Sequence, residues 1–95
     1  MTLRDEIAAS VIAMAAEISG VRTPIDEAQF VGRDLAIEGW DCVDFLEEIE
    51  DRWKVDLKPW IETITEYRRG WFRKRMETRD ATLGELIDQV TLLRS

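Results

Sequence analysis

With 95 residues, 45% of them hydrophobic, the chain has enough apolar material to close one core and too little for two, so a single domain over residues 1–95 is expected. A net charge of −7 opposes nucleic acid and anionic membranes as main partners, because like charges repel before any contact forms, and it favours a protein partner with a basic surface. Cys42 is the lone cysteine and histidine is absent, which argues against a disulfide scaffold, a zinc site of the usual Cys/His kind and an imidazole base; a reduced, cytoplasmic setting is expected, with no cofactor and no metal.

Thr2 opens the first helix as its N-cap, with Asp5 at the third helical position, where a carboxylate can accept from free backbone amides. Leu3, Ile7, Val11, Met14 and Ile18 recur at steps of three or four on one face, which predicts a helix to about Ser19 that stops at Gly20. The apolar run from Ile7 to Ile18 is too short to span a bilayer, and Asp5 and Glu6 outweigh Arg4, so it reads as a core helix and not as a secretory leader. From Val21 to Ile37 no period survives. A long connection is expected there, with Thr23-Pro24 starting a single helical turn and Phe30 tucked beneath the loop as an anchor.

A second helix is expected over Trp40–Trp53. Cys42, Phe45, Leu46, Ile49 and Trp53 form a wide inward stripe, which leaves Trp40, Val43, Asp44, Glu47, Glu50 and Asp51 outside. Apolar side chains rimmed by acids mark a contact surface more often than a merely solvated face. Behind Pro59, Trp60, Ile64, Tyr67 and Trp71 recur at steps of four, three and four, predicting a third helix whose other face and end carry Arg68, Arg69, Arg73, Lys74, Arg75 and Arg79. Lys58–Arg79 holds seven basic and three acidic residues, against three basic and eleven acidic over Asp26–Leu57, so the chain is strongly polarised. The simplest account of the basic segment is that it pairs with the chain's own acids or with those of a second subunit; its arginines beside Tyr67, Trp71 and Phe72 are also the ingredients of a nucleic-acid patch, which the net acidity opposes. Thr82 and Glu85 form a capping box for a last helix to about Leu93, with Leu83, Leu86, Ile87 and Val90 buried. No segment shows a strand period. An all-α bundle follows, with three main helices and an enlarged, variable third segment.

Asp34-Leu35, Glu38-Gly39-Trp40, Trp53 and Leu57 fall, without a gap, in the register of the prosthetic-group segment of an acyl carrier protein, and Thr82-Leu83-Gly84 resembles the start of the final carrier helix. In particular the chain resembles a bacterial group of acyl-carrier-like proteins of unknown function, on Gly39-Trp40-Asp41, Trp53, Val55-Asp56, Trp60 and Thr82-Leu83-Gly84. The resemblance implies an acyl-carrier-like helical bundle. It also implies a departure, because Gly39 stands where the carrier serine belongs and phosphopantetheine attaches through a hydroxyl oxygen that glycine lacks. Carriers meet their enzymes through the second helix, so the resemblance points to Trp40, Val43, Asp44, Glu47 and Glu50 as a docking face, with Trp40 where carriers present an aliphatic residue.

Enzymatic chemistry has little support. Ser10, Ser19, Ser95 and Cys42 have no histidine to take a proton, and Cys42 on the apolar stripe reads as an inert core residue. Asp41, Asp44, Glu47 and Glu48 are close in sequence, but a solvated face does not separate their pKa values, and no calcium-loop spacing is present. Trp53, Trp60 and Trp71 read as packing residues, whereas Trp40 is either exposed or covered by the third segment. Three readings stand at this level: a non-enzymatic interaction module docking through its acidic second helix, a carrier modified in an atypical way, and an acidic helical inhibitor or immunity-type protein. The sequence sets no oligomeric state.

Overall fold

A computed structural model describes the backbone of residues 1–69 and 74–95, and the side chains outside residues 66–78. Among the described residues the chain forms four helices, α1 (Leu3–Ser19), α2 (Trp40–Trp53), α3 (Lys58–Thr63) and α4 (Leu83–Arg94), with two short strands, β1 (Thr65–Arg69) and β2 (Lys74–Thr78), between α3 and α4. The molecule is an all-α bundle with a two-stranded insert.

α1 begins on the expected reciprocal cap. Thr2 Oγ1 accepts from the Asp5 amide at 3.2 Å and Asp5 accepts from the Thr2 amide at 3.1 Å, while Gly20 closes the helix in the left-handed conformation at φ 71°. Ile7 and Val11 are fully buried, and Ala8 and Ala15 beside them let α1 pack closely on α4, the helix it contacts most. Leu3, expected on this buried face, is exposed at the helix entrance. Arg4 ties three parts of the chain together, donating to Glu27 at 2.6 Å and to Asp88 at 2.7 Å.

The connection from Val21 to Gly39 contains no helical turn at Thr23-Pro24; its chain reversals lie at residues 27–29 and 31–35. Phe30 is not the anchor either. It is only half-buried, with the Arg33 guanidinium 4.3 Å from its ring centre, and Val31, Leu35 and Ile37 enter the core in its place. The loop is sewn to the start of α4 by backbone bonds: Val31 N–H to Ala81 O at 2.9 Å, Leu83 N–H to Gln29 O at 3.1 Å and Gly84 N–H to Glu27 O at 2.9 Å. Asp80 adds its carboxylate, accepting from the amides of Gly32, Arg33 and Ala81 at 2.9–3.0 Å.

The third segment departs most from expectation. The helix started by Lys58-Pro59 ends at Thr63 after six residues, and the chain turns into an antiparallel pair in which Tyr67 stands opposite Met76 and Thr65 opposite Thr78. β-branched residues crowd the break: Ile61, Thr63, Ile64 and Thr65 resist helix continuation. The hydroxyls of Thr63 and Thr65 donate to the Trp60 and Ile61 carbonyls, both at 2.6 Å. Arg79 N–H donates to Ile64 O at 2.7 Å and closes the base of the hairpin. Trp71 and Arg73 lie outside the described residues, as do the side chains of Tyr67, Arg68, Arg69, Lys74 and Arg75.

Thr82 caps α4 by accepting from the Glu85 amide at 3.2 Å, but the Glu85 carboxylate turns to Arg79 at 3.0 Å instead of completing a capping box. Leu83, Leu86, Ile87 and Val90 are all buried, as their spacing required. With Phe45 and Ile49 of α2 and with Leu57 they complete one contiguous core, in which each large side chain removed from water contributes about 1.5–3 kcal/mol.

Candidate functional site

The first turns of α2 carry the candidate surface. Gly39 is the N-cap, with φ 59° and ψ −131° and no side chain to bond the helix amides. This combination is open essentially to glycine, and a Cβ built there would meet no atom within 4 Å. Backbone conformation therefore selects glycine at this position; crowding does not.

Immediately after it, Trp40 is 83% exposed and Val43 42% exposed, with Asp44 and Glu47 in solvent on the same face. Steps of three and four place these residues along one side of the helix. Glu50 does not join them. It is half-buried and its Oε2 accepts from the Leu57 amide at 2.9 Å, so the carboxylate holds the chain as it leaves α2. The expected five-residue surface is four residues and a structural acid.

Beneath the same turns lies a cavity of about 490 Å³ between α2, α3, the connection and the start of α4. Ile37, Cys42, Leu46, Trp60, Ile61 and Ile64 form its apolar walls, and Gly39 borders it. Cys42 and Leu46 belong to the expected inward stripe, but both are only half-buried, because the stripe is wider than the core it faces. Cys42 thus packs against the edge of the core and also lines the cavity, and is not fully enclosed. Burial first, and then the negative charge of Asp80, push its thiol pKa up, so it stays protonated and weakly nucleophilic. The serines are spent on structure: Ser10 accepts the Trp53 indole N–H at 3.3 Å, Ser19 accepts from the Val21 amide at 3.3 Å, and Ser95 donates to Leu92 O at 3.1 Å.

Among the described residues, no group of three or more acidic or cysteine side chains is placed to hold a metal ion. No described helix is long and apolar enough to cross a membrane. No protein-family model, curated protein or solved structure matches the chain.

Proposed function

We propose that the protein is a non-enzymatic interaction module on an acyl-carrier-like fold, acting in the cytoplasm and docking through the acidic outer face of α2 on a basic protein surface. The observation that carries this reading is Trp40, 83% exposed at the start of α2 and next to the exposed Val43, with Asp44 and Glu47 beside them. Leaving a large aromatic in water has no benefit to folding, whereas an aromatic anchor ringed by charge is the usual centre of a protein interface. The acids would set the rate and direction of approach, and Trp40 would supply most of the affinity. Gly39 supports docking without cargo, since it offers no hydroxyl for a prosthetic arm.

The test begins with affinity capture to identify the partner and continues with titrations of purified components. Trp40→Ala should weaken binding by about 2 kcal/mol or more, close to thirtyfold, while Glu47→Lys should mainly slow association and flatten its salt dependence. Unchanged affinity in Trp40→Ala would remove the α2 face from consideration. An adduct of one prosthetic arm after incubation with coenzyme A and a broad-specificity phosphopantetheinyl transferase would restore the carrier reading.

A further inference from the structure

The hairpin between α3 and α4 gathers charge that the chain order keeps apart. Its register sets Arg68 opposite Arg75 and Arg69 opposite Lys74, so four basic residues occupy two adjacent cross-strand pairs. The remaining pairs are Thr65 with Thr78, Glu66 with Glu77 and Tyr67 with Met76, and no base stands opposite an acid. Like charges directly opposite one another weaken a strand pair. The two basic pairs lie at the end of the ribbon remote from α3, and the glutamate pair lies toward it.

α2 carries the matching cost with the opposite sign. Asp41, Asp44, Glu47, Glu48 and Asp51 are all exposed, and they follow one another at steps of three and four, where like charges repel along a helix. Among the described residues, none of these five carboxylates has an ion pair. The backbones of β1 and β2 run close to each other, and β1 close to α3, but neither strand lies along α2. The basic segment therefore does not neutralise α2 within the same chain.

We propose that two copies of the chain associate as a closed pair, the basic end of each hairpin docking on the acidic outer face of the other copy's α2. This rests on the reading of α2 as a docking face and names its partner. Reciprocal contact about a two-fold axis answers both charged surfaces of both copies at once. A nucleic acid would answer the hairpin but leave the five α2 carboxylates facing like charge. Strand alternation puts Tyr67 and Met76 on the same face as Arg69 and Lys74, so the ribbon sets an apolar pair next to a basic one, as α2 sets Trp40 and Val43 next to its acids. The net charge of −7 repels the copies over long range, but at about 0.15 M salt the Debye length is about 8 Å, and contacts closer than that keep their attraction.

The test is a charge swap read by analytical ultracentrifugation of the full chain, with circular dichroism confirming that each variant is folded. The parent should form dimers at about 0.15 M salt and dissociate at least about tenfold more readily at about 1 M. One variant reverses the hairpin, Arg69→Glu with Lys74→Glu; the other reverses α2, Asp44→Lys with Glu47→Lys. Each alone sets like charges against each other at both contacts and should weaken dimerisation at least about thirtyfold. Mixed in equal amounts, they restore opposite charges at both contacts, and the mixture should dimerise within about tenfold of the parent. If the reversed hairpin does not fold, Arg69→Gln with Lys74→Gln, which removes the charge without reversing it, should weaken the parent dimer at least about fivefold. A parent that stays monomeric at about 1 mM overturns the pairing, as does a folded single variant that dimerises like the parent, or a mixture of folded variants that stays monomeric. Species heavier than a dimer that grow with concentration overturn the closed arrangement. Sub-micromolar binding of single-stranded nucleic acid by the parent, lost in the hairpin variant, assigns the cations to phosphate and overturns the pairing too. The α2 face is judged separately, by Trp40→Ala against a captured partner, so either reading can fail alone.

Discussion

The left-handed backbone positions make a prediction of opposite signs. Gly39 sits at φ 59°, ψ −131°, and Lys54, the C-cap of α2, sits at φ 55°, ψ 47°. The first is a glycine in a conformation that suits only glycine, and the second a lysine in one that glycine tolerates better. Adding a methyl group in Gly39→Ala introduces no clash, since the space around the built Cβ is empty, so the whole native-state cost is conformational, about 1–3 kcal/mol. Restricting the unfolded chain offsets about 0.4–1 kcal/mol of that, which leaves a net loss of up to about 2.5 kcal/mol. Lys54→Gly relieves the reverse strain and should gain up to about 1 kcal/mol at a position where helices commonly end on glycine. For a domain of this size each kcal/mol moves the melting temperature by about 4–8 °C, so the two variants should separate to either side of the parent in thermal melts followed by circular dichroism. If Gly39→Ala melts at or above the parent temperature, the N-cap of α2 is not held in this conformation, and the conformational reason for glycine at this position is wrong.

Three further outcomes follow from the same structure. Ile49→Ala, in the fully buried row of α2, should cost about 2–5 kcal/mol in urea melts, while Glu47→Ala on the solvated face should change stability by less than about 0.5 kcal/mol; similar losses would mean that the helix faces are misassigned. Glu50→Ala should cost about 1–3 kcal/mol because it strands the Leu57 amide, and Glu50→Gln, which keeps an acceptor, should recover much of it. Asp34 and Asp5 accept backbone amides, from Phe30 and Thr2, that hold their pKa values below the usual 3.8. Their stabilisation is therefore complete above that value and lost as pH falls through the depressed folded values; urea midpoints should drop below about pH 4, and less steeply in Asp34→Ala.

α1 and α4 were legible because cap and stripe agree in each, and α2 from its stripe, since Gly39 offers no side-chain cap. α2 spans Trp40–Trp53 as read from its spacing, and the four buried residues of α4 are those its period selects. The third segment misled for a physical reason: Trp60, Ile64, Tyr67 and Trp71 satisfy a helical period, yet the β-branched run from Ile61 to Thr65 outweighs it, and periodicity does not register that competition. Glu50 was placed outward because a period locates the Cβ and not the end of a long side chain, which here reaches the Leu57 amide. The cavity was not legible at all. Cys42 and Leu46 carry an inward signal whether or not any atom fills the space before them, and Asp80 shows its role only once the connection is folded against it.

The stitching of the connection to residues 80–84 also bears on how the molecule assembles. The Gly32–Asp80 bond joins positions 48 apart in the chain, and the Phe30–Thr82 bridge lies alongside it. Contacts of such sequence separation form late, because the intervening loop entropy must be lost before they return anything. The connection that leads into Gly39 would accordingly acquire its final shape only when α4 arrives, after α1 and α2 have gained most of their own helical bonds. In native-state hydrogen exchange the amides of Val31, Gly32 and Arg33 should therefore open together with the first turn of α4, as one cooperative unit distinct from the middle of α2. A chain cut short before Asp80 would lose the order of a region some fifty residues upstream of the cut.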